Sequence, residues 1–132
     1  MFKRYALLIL ASVMVAGAAG DAGVSAQSPA LQAAMQQKLA NAQSLLEAVV
    51  KADYPAVARY AEPLSRISEA EIALWQTPQE PEYAEQARLF LLAVRGLREE
   101  AGAGNIAAVS DHYTTLISTC IGCHAYVRSA GR

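Results

Sequence analysis

Residues 106–128 read IAAVSDHYTTLISTCIGCHAYVR. At about 100° per residue, Ile106, Val109, Tyr113, Leu116, Cys120, Cys123, His124 and Val127 all fall within a sector of about 100°. The segment therefore predicts an amphipathic helix whose apolar stripe is continued by two thiols and an imidazole. Asn105 can cap its start. Gly102 to Gly104, just upstream, ends whatever helix precedes it.

Upstream of this segment the chain again reads as helix. No stretch alternates apolar and polar residues with a period of two, and alanine, leucine, glutamate and glutamine recur, all of which favour helix. A third helix spans about Pro81 to Ala101, with Tyr83, Ala87, Phe90, Val94 and Leu97 facing inward. Thr77 to Pro81 forms a turn before it. A second helix spans about Pro55 to Trp75, with Val57, Ala61, Leu64, Ile67 and Trp75 on its apolar side. Pro63 lies inside it and predicts a kink or break. A first helix spans about Ala30 to Lys51, with Leu31, Met35, Leu39, Ala42, Leu45, Leu46 and Val49 in one stripe. Asp53 is placed to cap the second helix. Connections of a few residues favour antiparallel neighbours. The expected fold is all-α, an antiparallel up-down-up-down four-helix bundle.

The first residues stand apart from that domain. Lys3 and Arg4 precede an uncharged apolar run from Ala6 to Ala19, and Val24-Ser25-Ala26 offers small residues for a signal peptidase. Residues 1–26 are read as a cleavable signal peptide and 27–132 as the bundle. An uncleaved anchor is the alternative, but the run is short against the roughly 20 apolar residues of a span. The absence of cysteine at the cleavage site argues against a lipoprotein. Export places the mature chain in the periplasm, with no membrane attachment after cleavage. Cleavage leaves 106 of 132 residues and shifts the formal net charge from −1 to −2. Such a domain buries about two-thirds of its unfolded surface. Nothing in it is basic enough to suggest nucleic acid.

The chain has only two cysteines, three residues apart. In an oxidising compartment a disulfide is the default. A Cys-x-x-Cys loop is a poor staple, because closing so short a loop removes little unfolded-state entropy. With a histidine directly after, Cys120-Ile121-Gly122-Cys123-His124 is the attachment signature of c-type haem. Each thiol adds to one vinyl group of the porphyrin, and the next residue brings an imidazole to the iron from the same face. Three other readings compete. A structural zinc site needs four ligands, and the only other histidine, His112, lies three turns earlier on the same helix. A thioredoxin-like dithiol expects a preceding strand and a mixed sheet. A chance occurrence on a plain helical bundle is the third.

With the motif near the end of the last helix, the sequence resembles the class II c-type cytochromes, the cytochrome c-prime proteins and their low-spin relatives. The resemblance covers the mature chain in architecture and is specific over Cys120-Ile121-Gly122-Cys123-His124-Ala125-Tyr126-Val127-Arg128. In that family a basic residue commonly follows four positions after the histidine, as Arg128 does here. The resemblance implies a four-helix bundle around one covalent haem c, electron transfer with redox partner proteins and, in open-site members, binding of nitric oxide or carbon monoxide. The mature chain is short for the family.

The ligand on the other side of the iron decides between these functions. Met35 is the only methionine after the signal segment. At about 1.5 Å per residue it lies roughly 7 Å from the start of the first helix, and His124 lies about as far from the end of the fourth. In antiparallel helices the two stand at one level. Met35 is therefore the candidate sixth ligand, with His124 as the fifth. Methionine also fills cores, and Leu39 or Leu31 are its apolar alternatives. The family takes a methionine from this helix in low-spin members and sets a bulky apolar residue there in cytochrome c-prime. Arg128 could hydrogen-bond a propionate, shield His124, or act as a solvated cation at the helix C-terminus. His112 reads as a surface or half-buried side chain. No nucleophile, general base or substrate pocket is legible, so no enzyme activity is expected. An exposed helical face could support a homodimer. The expected function is a periplasmic monohaem electron carrier with His/Met ligation. The alternatives are a five-coordinate gas-binding haem protein and a helical interaction module without haem.

Overall fold

A computed structural model describes residues 28–74 and 81–129. The expected signal segment, Trp75 and the turn at 77–80 lie outside the described residues. Among the described residues there are four helices, α1 (Pro29–Val50), α2 (Tyr54–Leu74), α3 (Pro81–Gly102) and α4 (Ile106–Ser129). Among the described residues there is no strand, and the all-α fold is consistent with a four-helix bundle. None of these helices is long and apolar enough to cross a membrane.

Local chemistry accounts for the helix ends. Ser28 caps α1, its Oγ accepting from the Leu31 N–H at 3.2 Å, with Pro29 in the first turn. Asp53 caps α2 as expected, its Oδ1 accepting from the Ala56 N–H at 3.0 Å. Asn105 caps α4 through the Ala108 N–H at 3.3 Å. Before it, Gly104 takes φ +70, a left-handed backbone that glycine adopts without steric cost. Helix α2 continues through Pro63 instead of breaking. The carbonyl that loses its donor to Pro63 belongs to Arg59. Arg59 lies on the exposed side of α2.

Helices α1 and α2, α2 and α3, and α3 and α4 pack broadly, while α1 and α4 meet thinly. The main core is built on Leu45, Val57, Leu64, Val94, Leu97, Val109 and Leu116, all fully buried. A second cluster joins Leu31 and Tyr83 with Met35, Cys123, Tyr126 and Val127. The expected inner face of α3 is buried throughout. The stripe of α1 is not, since Leu39 is 60% and Leu46 50% exposed. Helix α1 has a close neighbour in α2 but only a thin one in α4, and these two leucines of its apolar stripe stay uncovered. One of the few α1–α4 ties is the Tyr113 hydroxyl, which donates to the Ala42 carbonyl at 3.0 Å. At the opposite corner the Tyr54 hydroxyl donates to the Gly104 carbonyl at 2.8 Å.

The α3–α4 contact depends on Gly96. A Cβ there would lie 2.3 Å from the His112 ring. His112, half-buried, thus packs over the bare backbone of α3. Gly96→Ala should cost about 1–3 kcal/mol by overpacking. In thermal unfolding that corresponds to a midpoint lowered by about 4–8 °C per kcal/mol for a domain of this size. His112→Ala in the same chain should recover part of the loss.

Candidate functional site

The thin α1–α4 contact leaves a cavity of about 450 Å³. Helix α1 contributes Met35, Lys38, Leu39 and Ala42 to its wall, and α2 contributes Glu71. Helix α3 adds Tyr83, Gln86, Ala87 and Phe90, and α4 adds Ile117, Cys120, Ile121, Cys123 and His124. The cavity interrupts the core, taking Phe90, Ala42 and Cys120 from the main cluster and Met35, Tyr83 and Cys123 from the second.

Helix α4 runs unbroken through the Cys-x-x-Cys-His segment. Helical spacing therefore sets Cys120, Cys123 and His124 on one side of it. Both thiols are free and half-buried. Burial pushes both above the ordinary thiol pKa, with Lys38 opposing the shift, so they are neutral thiols at neutral pH. His124 lines the cavity yet is exposed, which puts it at the rim. Gly122 lies against Gln86 of α3, whose Oε1 would be 3.1 Å from an added Cβ. A larger side chain there would push Gln86 aside.

Four of the five nominated residues, Cys120, Cys123, His124 and Met35, line this one cavity. Met35 is half-buried and packs in the cluster that includes Cys123. Leu39, its apolar alternative, also lines the cavity, whereas Leu31 is buried and does not line it. Arg128 is exposed in the last turn of α4 and is not among the lining residues.

Two further lining residues escaped the sequence reading. Lys38 and Glu71 form an ion pair, with side chains only 14% and 4% exposed. The Lys38 Nζ also sits 4.3 Å from the centre of the Phe90 ring, within the range of a cation–π contact. Their signal was present in the pattern. Val57, Ala61, Leu64, Ser68 and Glu71 are spaced four, three, four and three residues apart, so Glu71 falls on the apolar face of α2. Lys38 follows Met35 by three residues on α1. Opposite charges on two core-facing stripes point to a buried pair. Tyr83, buried beside this pair, has its pKa raised by burial first, then by Glu71 and Cys123.

Among the described residues no cluster of three or more His, Cys, Asp or Glu side chains is placed to hold a metal ion directly. A haem iron makes a smaller demand, because the porphyrin fills four of its positions and the protein supplies only axial ligands. The cavity fits that group in kind. Its volume lies within the roughly 300–1,000 Å³ of ligand pockets, its wall is largely apolar, and two thiols and an imidazole share one side of it. Comparison with known proteins finds no matching family model, no matching characterised protein and no matching solved structure.

Proposed function

We propose that the chain is an exported monohaem c-type cytochrome that carries electrons between redox partner proteins in the periplasm. It would be an antiparallel up-down-up-down bundle like the class II c-type cytochromes. One observation carries this reading. Cys120, Cys123 and His124 from α4 and Met35 from α1 line the same largely apolar cavity of about 450 Å³. The antiparallel order is supported by the second cluster, which joins Leu31 and Tyr83, near the starts of α1 and α3, to Cys123 and Tyr126, near the end of α4.

When bound, the haem supplies a one-electron couple at its iron. Cys120 and Cys123 hold the porphyrin by two thioethers. His124 from α4 would supply a nitrogen to the iron, and Met35 from α1 would supply a sulfur. Phe90, Ala87 and Ile117 provide apolar wall and limit water in the cavity. That keeps the solvent rearrangement accompanying a change of iron charge small. Arg128, outside the cavity, is best assigned to solvated charge at the end of α4.

Leu39 supports the second reading, because an apolar side chain beside Met35 could face the iron and leave a site open to nitric oxide or carbon monoxide. One absorbance spectrum of the chain matured in cells with c-type haem attachment separates the readings. Low-spin bands with a weak methionine–iron absorption uphold electron transfer. A high-spin spectrum that shifts with carbon monoxide upholds gas binding. Lack of a Soret band rejects both.

A further inference from the structure

We infer that the Lys38–Glu71 pair is a clamp that fixes where α1 stands relative to α4, and thereby positions Met35 in the cavity; its effect on the iron rests on the haem reading above. Helix α1 meets α4 only thinly, with the Tyr113–Ala42 hydrogen bond among the few ties, so where it stands relative to α4 is set by how α2 and α3 hold it. Lys38 follows Met35 by three residues, so the two share a face of α1, with Cβ atoms about 5–6 Å apart. The Lys38 ammonium meets Glu71 of α2 and the Phe90 ring of α3, so three helices converge on one charge.

The pair is poorly suited to a purely stabilising role. A buried ion pair offsets its desolvation only when its remaining hydrogen-bonding positions are also filled. Here Glu71 Oε1 is buried and has no hydrogen-bond partner among the described residues. The hydroxyls of Ser68 and Ser65, one and two turns back on α2, are in the same condition. Apolar residues in place of the pair would therefore fold at least as well. They would lose direction. Leucine contacts are non-directional, whereas an ammonium held by a carboxylate and a ring face has one favourable position. Lys38 and Glu71 are thus positioning residues, acting through Met35.

The test uses the full chain matured with haem, carrying Lys38→Leu together with Glu71→Leu, with Lys38→Arg as the conservative control. The double variant avoids leaving one charge buried alone. It should keep covalent haem and melt cooperatively at or above the wild-type midpoint. It should nonetheless show a larger high-spin fraction and bind carbon monoxide about tenfold faster, as a loosened Met35 leaves the iron more often. Lys38→Arg should stay close to wild type. A double variant with unchanged spin state and carbon monoxide rate overturns the clamp even if its stability shifts. If the wild type takes up no haem or is already high-spin, the proposed function or the role of Met35 fails separately. Amide hydrogen exchange then reads the clamp directly. Faster exchange in α1 of the double variant, with α2 to α4 unchanged, upholds it, and equal exchange in α1 overturns it.

Discussion

Cys120→Ser combined with Cys123→Ser should abolish covalent haem incorporation and leave a partly folded, protease-sensitive chain. Serine has the shape of cysteine, although its hydroxyl is smaller and more polar than the thiol, and it forms no thioether with a vinyl group. The structural effect follows from the cavity. Voids destabilise by about 24 cal/mol per Å³, and the cavity measures about 450 Å³. Fully felt, such a void would cost as much as the whole stability of a small domain, about 5–15 kcal/mol. Because the cavity opens past exposed Leu39 and His124, water relieves part of that cost. Filling it with a porphyrin instead adds buried apolar surface at about 25 cal/mol per Å². The measurements are extraction of the purified protein with acidified acetone and limited proteolysis. The wild type should keep its haem in acid and denaturant. Release of the haem from the wild type by acidified acetone would refute covalent attachment. A fully cooperative, native-like double variant would show that the bundle is complete without it.

Met35→Ala should open the sixth position of the iron and lower the reduction potential together. A thioether sulfur favours ferrous over ferric iron, so a His/Met pair raises the potential. Replacing it by water or by nothing reverses that preference. Each tenfold change lowers the potential by about 59 mV for one electron. The variant should be high-spin or solvent-ligated and bind carbon monoxide readily. The wild type should resist it, since the iron–sulfur bond must break first. Absorbance, redox titration and carbon monoxide mixing read all three effects. A high-spin wild type would make Met35 a core residue and favour gas binding at an open site beside Leu39. A low-spin spectrum unchanged by Met35→Ala would assign the ligand to another side chain. Lys38, which lines the cavity three residues further along α1, is then the first to examine.

Most of the individual helices were legible from periodicity and caps. Asp53 and Asn105 cap α2 and α4 as their residue types suggest. The inner face expected for α3 is buried from Tyr83 to Leu97. Pro63 does not break α2, which runs on from Tyr54 to Leu74 through it. Of the candidate site, the Cys-x-x-Cys-His segment was readable because its geometry is internal to one helix. Arg128 was nominated by its position in the motif, and it stands exposed in the last turn of α4, outside the residues that line the cavity.

The sequence by itself determined the angular placement of side chains around each helix. A fixed 3.6-residue turn carries Cys120, Cys123 and His124 to one face of α4 whatever surrounds it. Tertiary structure decided which faces meet. Leu39 and Leu46 look like core on a helical projection, yet they are exposed because α1 leans on α2 and barely touches α4. Lys38 and Glu71 look like surface charges one at a time, yet they are buried together because the two helices carrying them pack side by side. The cavity is likewise a property of how far α1 stands from α4. Local periodicity encodes direction, but distance between helices is set by long-range packing, and only the folded chain fixes it.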